Sequence, residues 1–252
     1  MKTLSAVLRS SGKPAPYASS KPLSIEELQL DGPGPGELLI ETAAAGLCHS
    51  DLSVIDGSRP RPLPMALGHE ASGIVREVGS GVDDFKAGDR VILVFVPSCG
   101  RCARCASGRP ALCESAAKAN GAGTLLSGAR RLKTASGESV QHHLGVCAFS
   151  RFLVAARESA VKLEADIPLE RAALFGCAVL TGVGAAINTA ALRPGESAAV
   201  FGLGGVGLSA VMGARAAGAR TIVAVDRVEA KLELAKRLGA THAVDASKDD
   251  PV

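Results

Sequence analysis

The sequence predicts a two-domain α/β protein, because the pattern of the chain changes near residue 170. Before that point, short β-branched runs are separated by glycine and proline, as in ELLIETAAAG (37–46), SGIVREVGSG (72–81) and DRVILVFV (89–96). Such runs are typical of strands, and their spacing indicates a β-rich domain built as a partly open barrel. After that point strands alternate with helices, which is typical of a parallel sheet. We therefore expect one domain over residues 1–170 and a second over 171–252.

The composition is that of a globular protein and argues against several classes of partner. The 252 residues are 47% hydrophobic and 21% charged, with a net charge of only +3. This small charge gives no reason to expect binding to nucleic acid or to a membrane surface. The N-terminal MKTLSAVLRSSGKPAP has no unbroken apolar core, so we expect no signal peptide. We predict a cytoplasmic protein, whose cysteines stay reduced.

One uncharged stretch is long enough to span a bilayer. Residues 172–192 hold 21 positions without a charge. They are mostly alanine, glycine and threonine, however, and they include Asn188. A buried helix of a globular domain is therefore the favoured interpretation.

The second domain is predicted to alternate strands and helices around a glycine-rich turn. A strand in RPGESAAVFG leads into the turn, and a helix, a strand, a helix and a strand follow at 206–217, 221–226, 229–239 and 242–245. The turn has the pattern G-x-G-x-x-G between a strand and a helix. A helix N-terminus in that position favours the pyrophosphate of a dinucleotide.

The residues of this turn have separate predicted roles. Gly202 permits the tight turn, Gly204 lets the backbone approach the pyrophosphate, and Gly207 lets the helix pack on the sheet. The predicted cofactor-binding turn also includes Gly205 and Val206. Asp226 ends the next strand, nineteen residues after Gly207, and is placed to accept hydrogen bonds from the ribose hydroxyls. Because a carboxylate there repels a 2′-phosphate, NAD is favoured over NADP. A purely structural turn is the alternative.

Four of the seven cysteines lie within CGRCARCASGRPALC, as Cys99, Cys102, Cys105 and Cys113. Four thiolates at this spacing can close a tetrahedron around zinc and leave no open position for substrate. An iron–sulfur cluster is the nearest alternative, but the last cysteine is too distant for that pattern. A reducing compartment disfavours disulfides, and the absence of interleaved aromatic residues disfavours nucleic-acid binding by the arginines of this stretch. We predict a structural zinc site in a four-cysteine lobe over residues 97–115.

Other potential zinc ligands are dispersed along the chain. GLCHSD places Cys48 at the end of a strand, and LFGCAVLTG places Cys177 at the start of the alanine-rich helix. Between them, ALGHEASG contains His69 followed by Glu70. Two cysteines and one histidine, completed by water, make an open catalytic zinc site. Spacing alone does not bring them together, and a lone buried cysteine is often only a small apolar residue. Both interpretations stay open on the residues alone.

Taken in order, GLCHSD, LGHEASGIVREVGSGV, the four-cysteine lobe, GCAVLTG and FGLGGVG followed by VD resemble the zinc-dependent medium-chain alcohol dehydrogenases. The resemblance covers essentially the whole chain. It implies a GroES-like catalytic domain followed by a Rossmann domain with a doubly wound parallel sheet. It also implies two zinc ions per chain, and hydride transfer between NAD and a primary or secondary alcohol or its aldehyde or ketone. A homodimer or homotetramer is implied at full length.

The resemblance assigns the metal site residue by residue. The catalytic zinc ligands are matched by Cys48, His69 and Cys177. Glu70 matches the neighbouring acid that can approach the metal. Asp51 matches the carboxylate that orients the ligating imidazole, as metal-bound histidines generally require.

The resemblance also assigns the proton path and the remaining cofactor contacts. Ser50 matches the hydroxyl that takes the proton of the substrate oxygen, with a turn or capping role as the alternative. The cofactor positions outside the turn are His49 near the pyrophosphate, Thr181 beside the nicotinamide and Lys231 beside the adenosine ribose. Many relatives continue the proton path to a histidine whose position here is Ser53. The path then ends through the ribose and water, or through another group.

The chain stops after three strands of the predicted Rossmann sheet, whereas a sheet of this kind has about six strands. We therefore expect the C-terminal half of that domain to be absent from this chain. An isolated 252-residue product is expected to bind NAD poorly and to be unstable, with an open apolar sheet edge.

Residues 111–152 resemble the longer-loop branch of the family, which includes glutathione-dependent formaldehyde dehydrogenases. The loop cations Arg130, Arg131 and Lys133 either bind an acidic substrate or solvate the loop, and solvation is favoured. His142 and His143 are either spare metal ligands or ordinary strand-edge histidines, and the second interpretation is favoured. Cys147 is expected to be buried.

An S-(hydroxymethyl)glutathione dehydrogenase is the first alternative function. A zinc-free reductase is disfavoured by the presence of both cysteine sets. A zinc-binding nucleic-acid module and a non-catalytic fragment are the alternatives from other classes. We expect a small-molecule substrate, and neither a nucleic-acid nor a membrane partner.

Overall fold

The computed structural model describes residues 1–164, 166–248 and 250. The chain forms two compact units, Met1–Gly176 and Cys177–Val252.

The first unit is built mainly from antiparallel strands. They are β1 Lys2–Leu8, β2 Leu23–Leu30, β3 Glu37–Gly46, β4 Met65–Ala66, β5 Glu70–Val78, β6 Arg90–Leu93, β7 Leu132–Lys133, β8 Ser139–His142, β9 Phe152–Ala156 and β10 Ala160–Lys162. Five of them close into a barrel in the order β1-β2-β7-β8-β4, and the others form a sheet in the order β10-β6-β5-β3-β9. Leu38, Ile40 and Val75 are fully buried in the core of that sheet.

The first unit also contains helices that the strand-like pattern did not predict. They are α1 Tyr17–Ser20, α2 His49–Ile55, α3 Ala103–Ala106, α4 Glu114–Ala122 and α5 Leu169–Ala172, with short 3₁₀ turns at Pro110–Leu112, His143–Gly145, Arg157–Ser159 and Ala173–Gly176. α2 begins at a capping box, in which the Asp51 carboxylate accepts a hydrogen bond from the Cys48 N–H at 3.4 Å. At 7 residues, α2 has too few turns for a helical period to stand out in the sequence.

The pairing of β3 with β5 brings two distant motifs side by side. In this antiparallel pair, Gly46 at the end of β3 lies opposite Glu70 at the start of β5. A Cβ atom on Gly46 would lie 2.6 Å from Glu70 Oε2, so a larger residue here would displace the Glu70 carboxylate. The chain therefore leaves β3 towards Cys48 next to the point where it enters β5 from His69.

A buried ion pair ties the start of β3 to the loop before β7. Glu37 is 1% exposed, and its Oε2 accepts hydrogen bonds from Arg131 Nε and from the Gly34 N–H, both at 2.9 Å. Its Oε1 accepts a third from Ser127 Oγ at 2.7 Å. The other loop cations also have partners: Arg130 donates to Gln141, and Lys133 pairs with Asp31. Each of these three cations therefore has a partner within the chain.

Replacing Glu37 with alanine should destabilise the first unit by about 3 kcal/mol, because it leaves the Arg131 guanidinium partly buried and unpaired. The free energy of unfolding from urea denaturation measures this. Glu27→Ala is the matched control, since the Lys2–Glu27 pair is exposed and should contribute below about 1 kcal/mol. Equal losses for the two variants would contradict the prediction.

The second unit is a three-stranded parallel sheet with helices. Its elements are α6 Ala178–Gly184, a π-helical turn Ala185–Thr189, β11 Ser197–Phe201, α7 Gly205–Ala216, β12 Thr221–Asp226, α8 Glu229–Leu238 and β13 His242–Asp245. The strands lie in the order β11-β12-β13 with parallel pairing. Leu203, Ile222 and Leu232 are buried in its core. The strand and helix order matches the alternation that the sequence predicts.

The alanine-rich run is not one continuous helix. The backbone of Cys177 has φ −143° and ψ −72°, which is outside the helical region and separates the turn Ala173–Gly176 from α6. Among the described residues, no single helix has the length and apolar composition needed to cross a membrane. The consecutive segments Leu169–Gly176 and Ala178–Thr189 meet those requirements only when taken together.

Candidate functional site

The cysteines of the four-cysteine lobe converge on one point. The sulfur atoms of Cys99, Cys102, Cys105 and Cys113 all lie within 4.8 Å of one another. Within the described part of the chain, no cysteine is in a disulfide. Thiols gathered in this way are the donor set of a closed tetrahedral zinc site.

Hydrogen bonds from the backbone of the lobe favour the thiolate form of two of these cysteines. Hydrogen bonding by the Arg101 backbone, with a further bond from Ser115, lowers the pKa of Cys99 to about 6. Hydrogen bonding by the Cys105 backbone lowers the pKa of Cys102. Desolvation and the neighbouring Cys102 thiol instead raise the pKa of Cys105 to about 12. Because a ligating thiol must lose its proton, the lobe's environment fits a metal that neutralises the clustered negative charge.

A second cluster of potential ligands lies where β3, α2 and β5 meet. Cys48 caps the N-terminus of α2, His69 immediately precedes β5, and Glu70 is its first residue. One ligand atom from each lies within 4.8 Å of the others. Glu70 Oε2 is buried and has no hydrogen-bond partner among the described residues. An unpaired buried carboxylate oxygen beside a thiol and an imidazole fits a cation at this point.

Asp51 links the two ligand-bearing segments. Its Oδ1 accepts hydrogen bonds from His69 Nδ1 at 3.2 Å and from the Gly68 N–H at 3.1 Å, and its Oδ2 accepts the Cys48 N–H. Burial of Asp51 opposes its ionisation, but the contacts with His143 and His69 outweigh it and hold the pKa of this carboxyl below its usual range. An ionised Asp51 favours the proton of His69 on Nδ1, which leaves an unprotonated Nε2 that is able to bind a metal ion.

The other residues predicted for the catalytic site lie on the same helix or in the second unit. His49 is exposed, and Ser50 and Ser53 are half-buried; all three are on α2. Cys177 begins the second unit and caps the N-terminus of α6, on which Thr181 is exposed.

The glycine-rich turn has the backbone that a pyrophosphate site needs. Gly202 has a φ of 85°, in the left-handed region, and Gly204 caps the N-terminus of α7. A Cβ atom on Gly207 would lie 1.8 Å from the carbonyl oxygen of Gly202, so only glycine lets the helix pack this closely on the turn. Gly205 and Val206 form the first turn of α7.

Asp226, the last residue of β12, accepts hydrogen bonds from backbone N–H groups of the glycine-rich turn and of the residues that follow β12. Its Oδ2 accepts the Leu203 N–H at 2.7 Å, and its Oδ1 accepts the N–H groups of Arg227 and Val228. The hydrogen bond from Leu203 is the largest of the effects that lower the pKa of Asp226. Lys231 Nζ lies 3.8 Å from Oδ2. A cavity of about 710 Å³ opens here, lined by Phe201, Gly202, Val225, Asp226, Arg227, Val228, Ala246 and Ser247.

The adjacent histidines differ, and the expectation that both are ordinary strand-edge residues does not describe His143. His142 is buried: its Nε2 accepts the Arg131 N–H at 3.0 Å, and its Nδ1 lies 3.1 Å from the sulfur of Cys147, which is buried as expected. Burial lowers the pKa of His142 to about 3, so it is a neutral structural residue. His143 Nδ1 lies 3.0 Å from Asp51 Oδ1. β8 ends at His142 and a 3₁₀ turn begins at His143, so no strand or helix period marks His143 in the sequence.

Comparison with known sequences places this architecture in a family. The family described as alcohol dehydrogenase GroES-like domain matches residues 34–165, and that described as zinc-binding dehydrogenase matches residues 205–252. The chain belongs to the zinc-dependent medium-chain alcohol dehydrogenases. The predicted GroES-like and Rossmann architecture is confirmed with it.

Members of this family with substantial identity come from several bacteria. The putative alcohol dehydrogenase D of Mycobacterium tuberculosis is 43% identical over 247 residues, which cover 96% of this chain and 63% of the relative. An S-(hydroxymethyl)glutathione dehydrogenase of Synechocystis is 42% identical over 235 residues, covering 93% and 63%. The crystal structure of benzyl alcohol dehydrogenase from Acinetobacter calcoaceticus aligns with a TM-score of 0.88 at 35% identity, covering all of this chain and 66% of that one. The chain thus spans a little under two thirds of the length of the curated relatives.

Proposed function

We propose that this protein is a zinc-dependent oxidoreductase that transfers hydride between a primary or secondary alcohol, or its aldehyde or ketone, and NAD. The observation that carries the proposal is the cluster of Cys48, His69 and Glu70, in which a buried carboxylate oxygen lacks a partner and Asp51 orients the imidazole. In this proposal, the four-cysteine lobe and the ligands of the catalytic site have different roles. The four-cysteine lobe is closed, whereas the dispersed set can leave a position for substrate.

In this proposal, Cys48 Sγ and His69 Nε2 would hold the catalytic zinc with Glu70 beside it, and Cys177 is the further ligand that the family resemblance assigns. A zinc ion bound there supplies Lewis-acid polarisation of the substrate oxygen. Asp51 keeps His69 in the tautomer that binds metal. Ser50 Oγ, in the first turn of α2, would accept the proton that the substrate oxygen releases and would give up its own hydroxyl proton to the cofactor ribose or to water. NAD supplies the hydride chemistry, and the chain supplies its placement.

The cofactor is proposed to lie with its pyrophosphate at the N-terminus of α7, over Gly202, Gly204, Gly205, Val206 and Gly207. The adenosine ribose would meet Asp226 and Lys231 in the cavity beside β12. His49 and Thr181 are proposed to contact the pyrophosphate and the nicotinamide, respectively.

Zinc sites built from thiolates require reduced cysteines, which favours the cytoplasm as the location. We propose a small-molecule substrate and a homodimer or homotetramer as the assembly. An S-(hydroxymethyl)glutathione substrate is the second candidate, because the Synechocystis relative carries that name. The intrachain partners of Arg130, Arg131 and Lys133 weigh against a role for these cations in binding an acidic substrate.

The function is tested on the full-length protein, with a complete NAD-binding domain, by following NADH absorbance with a panel of alcohols. The panel includes primary, secondary and benzylic alcohols, and formaldehyde with glutathione. We expect alcohol-dependent reduction of NAD that a zinc chelator abolishes and added zinc restores. No turnover with any alcohol, or turnover unaffected by complete zinc removal, would contradict the proposal.

Replacing Asp226 with asparagine should reduce the preference for NAD over NADP by at least about tenfold, because it removes a negative charge that repels the 2′-phosphate. The ratio of kcat/KM for the two cofactors measures this. Asp245→Asn is the matched control, since Asp245 lies opposite Asp226 at the end of β13 and pairs with Lys248. If both variants shifted the ratio equally, the role assigned to Asp226 would be wrong.

A further inference from the structure

We propose that His143 is a positioning residue for the metal-ligating imidazole of His69, and that it acts through the carboxylate of Asp51. The inference rests on the metal site proposed for Cys48 and His69. It extends that site by a residue outside the ligand cluster of Cys48, His69 and Glu70.

The first observation is the arrangement of polar atoms around Asp51. Oδ1 is shared, since His69 Nδ1 lies 3.2 Å from it and His143 Nδ1 lies 3.0 Å from it. The side chains of the two histidines are each 1% exposed, and that of Asp51 is 5% exposed. Because these side chains are buried away from water, a hydrogen bond to the Asp51 carboxylate is stronger here than it would be in solvent.

The second observation is that His143 Nδ1 is a buried polar atom with no aligned hydrogen-bond partner among the described residues. A buried N–H without a partner costs free energy, and the Asp51 carboxylate is 3.0 Å away. In the proposed arrangement, the Nδ1–H groups of both imidazoles donate to the same oxygen of Asp51.

The third observation concerns the ring of His69 itself. It packs edge-on between two rings, with centroid distances of 5.5 Å to His143 and 5.4 Å to Phe95 and interplanar angles of 89° and 85°. His143 therefore restrains His69 in two ways, directly through its ring and indirectly through Asp51. The Asp51 carboxylate also binds the Cys48 N–H, so a shift of Asp51 would displace both ligand-bearing segments.

Backbone hydrogen bonds hold the segment around His143 in place, and none of them involves the His143 side chain. The His142 N–H donates to the Gly123 carbonyl at 2.9 Å, and the His143 carbonyl accepts from the N–H groups of Val146 and Cys147 at 3.1 and 3.3 Å. Substitution of the His143 side chain should therefore leave this segment in place.

The test compares two variants of His143 by their metal affinity. In His143→Asn, the amide nitrogen replaces Nδ1 as a donor to Asp51. In His143→Phe, the ring volume stays and the donor is lost. Co²⁺ binding is measured by competition with a chromophoric chelator, and the visible Co²⁺ spectrum separates the site with an imidazole from the all-thiolate lobe.

We expect H143F to weaken Co²⁺ binding at the Cys48–His69 site by about tenfold, the lower end of the range for residues that support a metal ligand, while binding at the lobe is unchanged. H143N should retain affinity within about threefold. Wild-type affinity in H143F, or equal losses in H143F and H143N, would overturn the proposal. If H143F does not fold, His143→Gln is used instead; it also moves the donor away from Asp51 and should show the same loss.

These readouts do not depend on turnover. A tenfold loss of Co²⁺ affinity in H143F supports the positioning role even if the wild-type protein oxidises no alcohol, which would contradict only the proposed function. An active wild type whose H143F variant binds Co²⁺ normally contradicts only the positioning role.

Discussion

Replacing Cys48 with serine is expected to remove one zinc ion per chain and to reduce alcohol-dependent NAD reduction by about a thousandfold. A serine hydroxyl does not ionise to become a strong zinc ligand, and loss of the metal removes several kcal/mol of transition-state stabilisation. Elemental analysis of the purified variant and steady-state kinetics measure the two effects.

Cys147→Ser is the matched control for this substitution. Cys147 is buried and contacts His142, and it belongs to neither ligand set. The control should keep its full zinc content and its kcat. A Cys48→Ser variant with wild-type zinc content and activity would show that the catalytic metal site is wrongly assigned.

Replacing Cys105 with serine is expected to remove the zinc of the four-cysteine lobe and to unfold residues 97–115 locally. Structural zinc sites provide the folding free energy of the segment they close, and the short elements of this lobe, α3 and the turn Pro110–Leu112, are too small to persist alone. Limited proteolysis should therefore cut the variant within the lobe, whereas the zinc-loaded wild type resists.

Arg104→Ala is the control for this second substitution, because Arg104 is exposed on the same lobe one residue away. It should leave both zinc content and protease resistance unchanged. Retention of the lobe's zinc by Cys105→Ser, with protease resistance equal to that of the wild type, would refute the assignment of this site.

The elements that the sequence predicted best are those with local signals. The helix expected at 206–217 is α7, Gly205–Ala216, and the strand expected at 221–226 is β12, Thr221–Asp226. Both are bounded by glycine or by a change of hydrophobic period, which is visible within a few residues. The four-cysteine cluster could be predicted for the same reason, since all its donors lie in one short segment.

The spacing of Cys48, His69 and Cys177 in the sequence could not predict that they form one site. Cys48 and His69 approach each other only because β3 and β5 pair with Gly46 opposite Glu70, and that register is a long-range property. The resemblance to a family supplied what periodicity could not. His143 was missed because its partner, Asp51, lies on the unpredicted helix α2.

We propose that the chain carries two separate zinc sites, a structural one in the four-cysteine lobe and a catalytic one formed by Cys48, His69 and Cys177. Zinc per chain, measured by elemental analysis of the purified protein after removal of loosely bound metal, tests this most directly. We expect two zinc ions per chain. A value of one, unchanged in Cys48→Ser and lost in Cys105→Ser, would contradict it, because only the lobe would then bind metal.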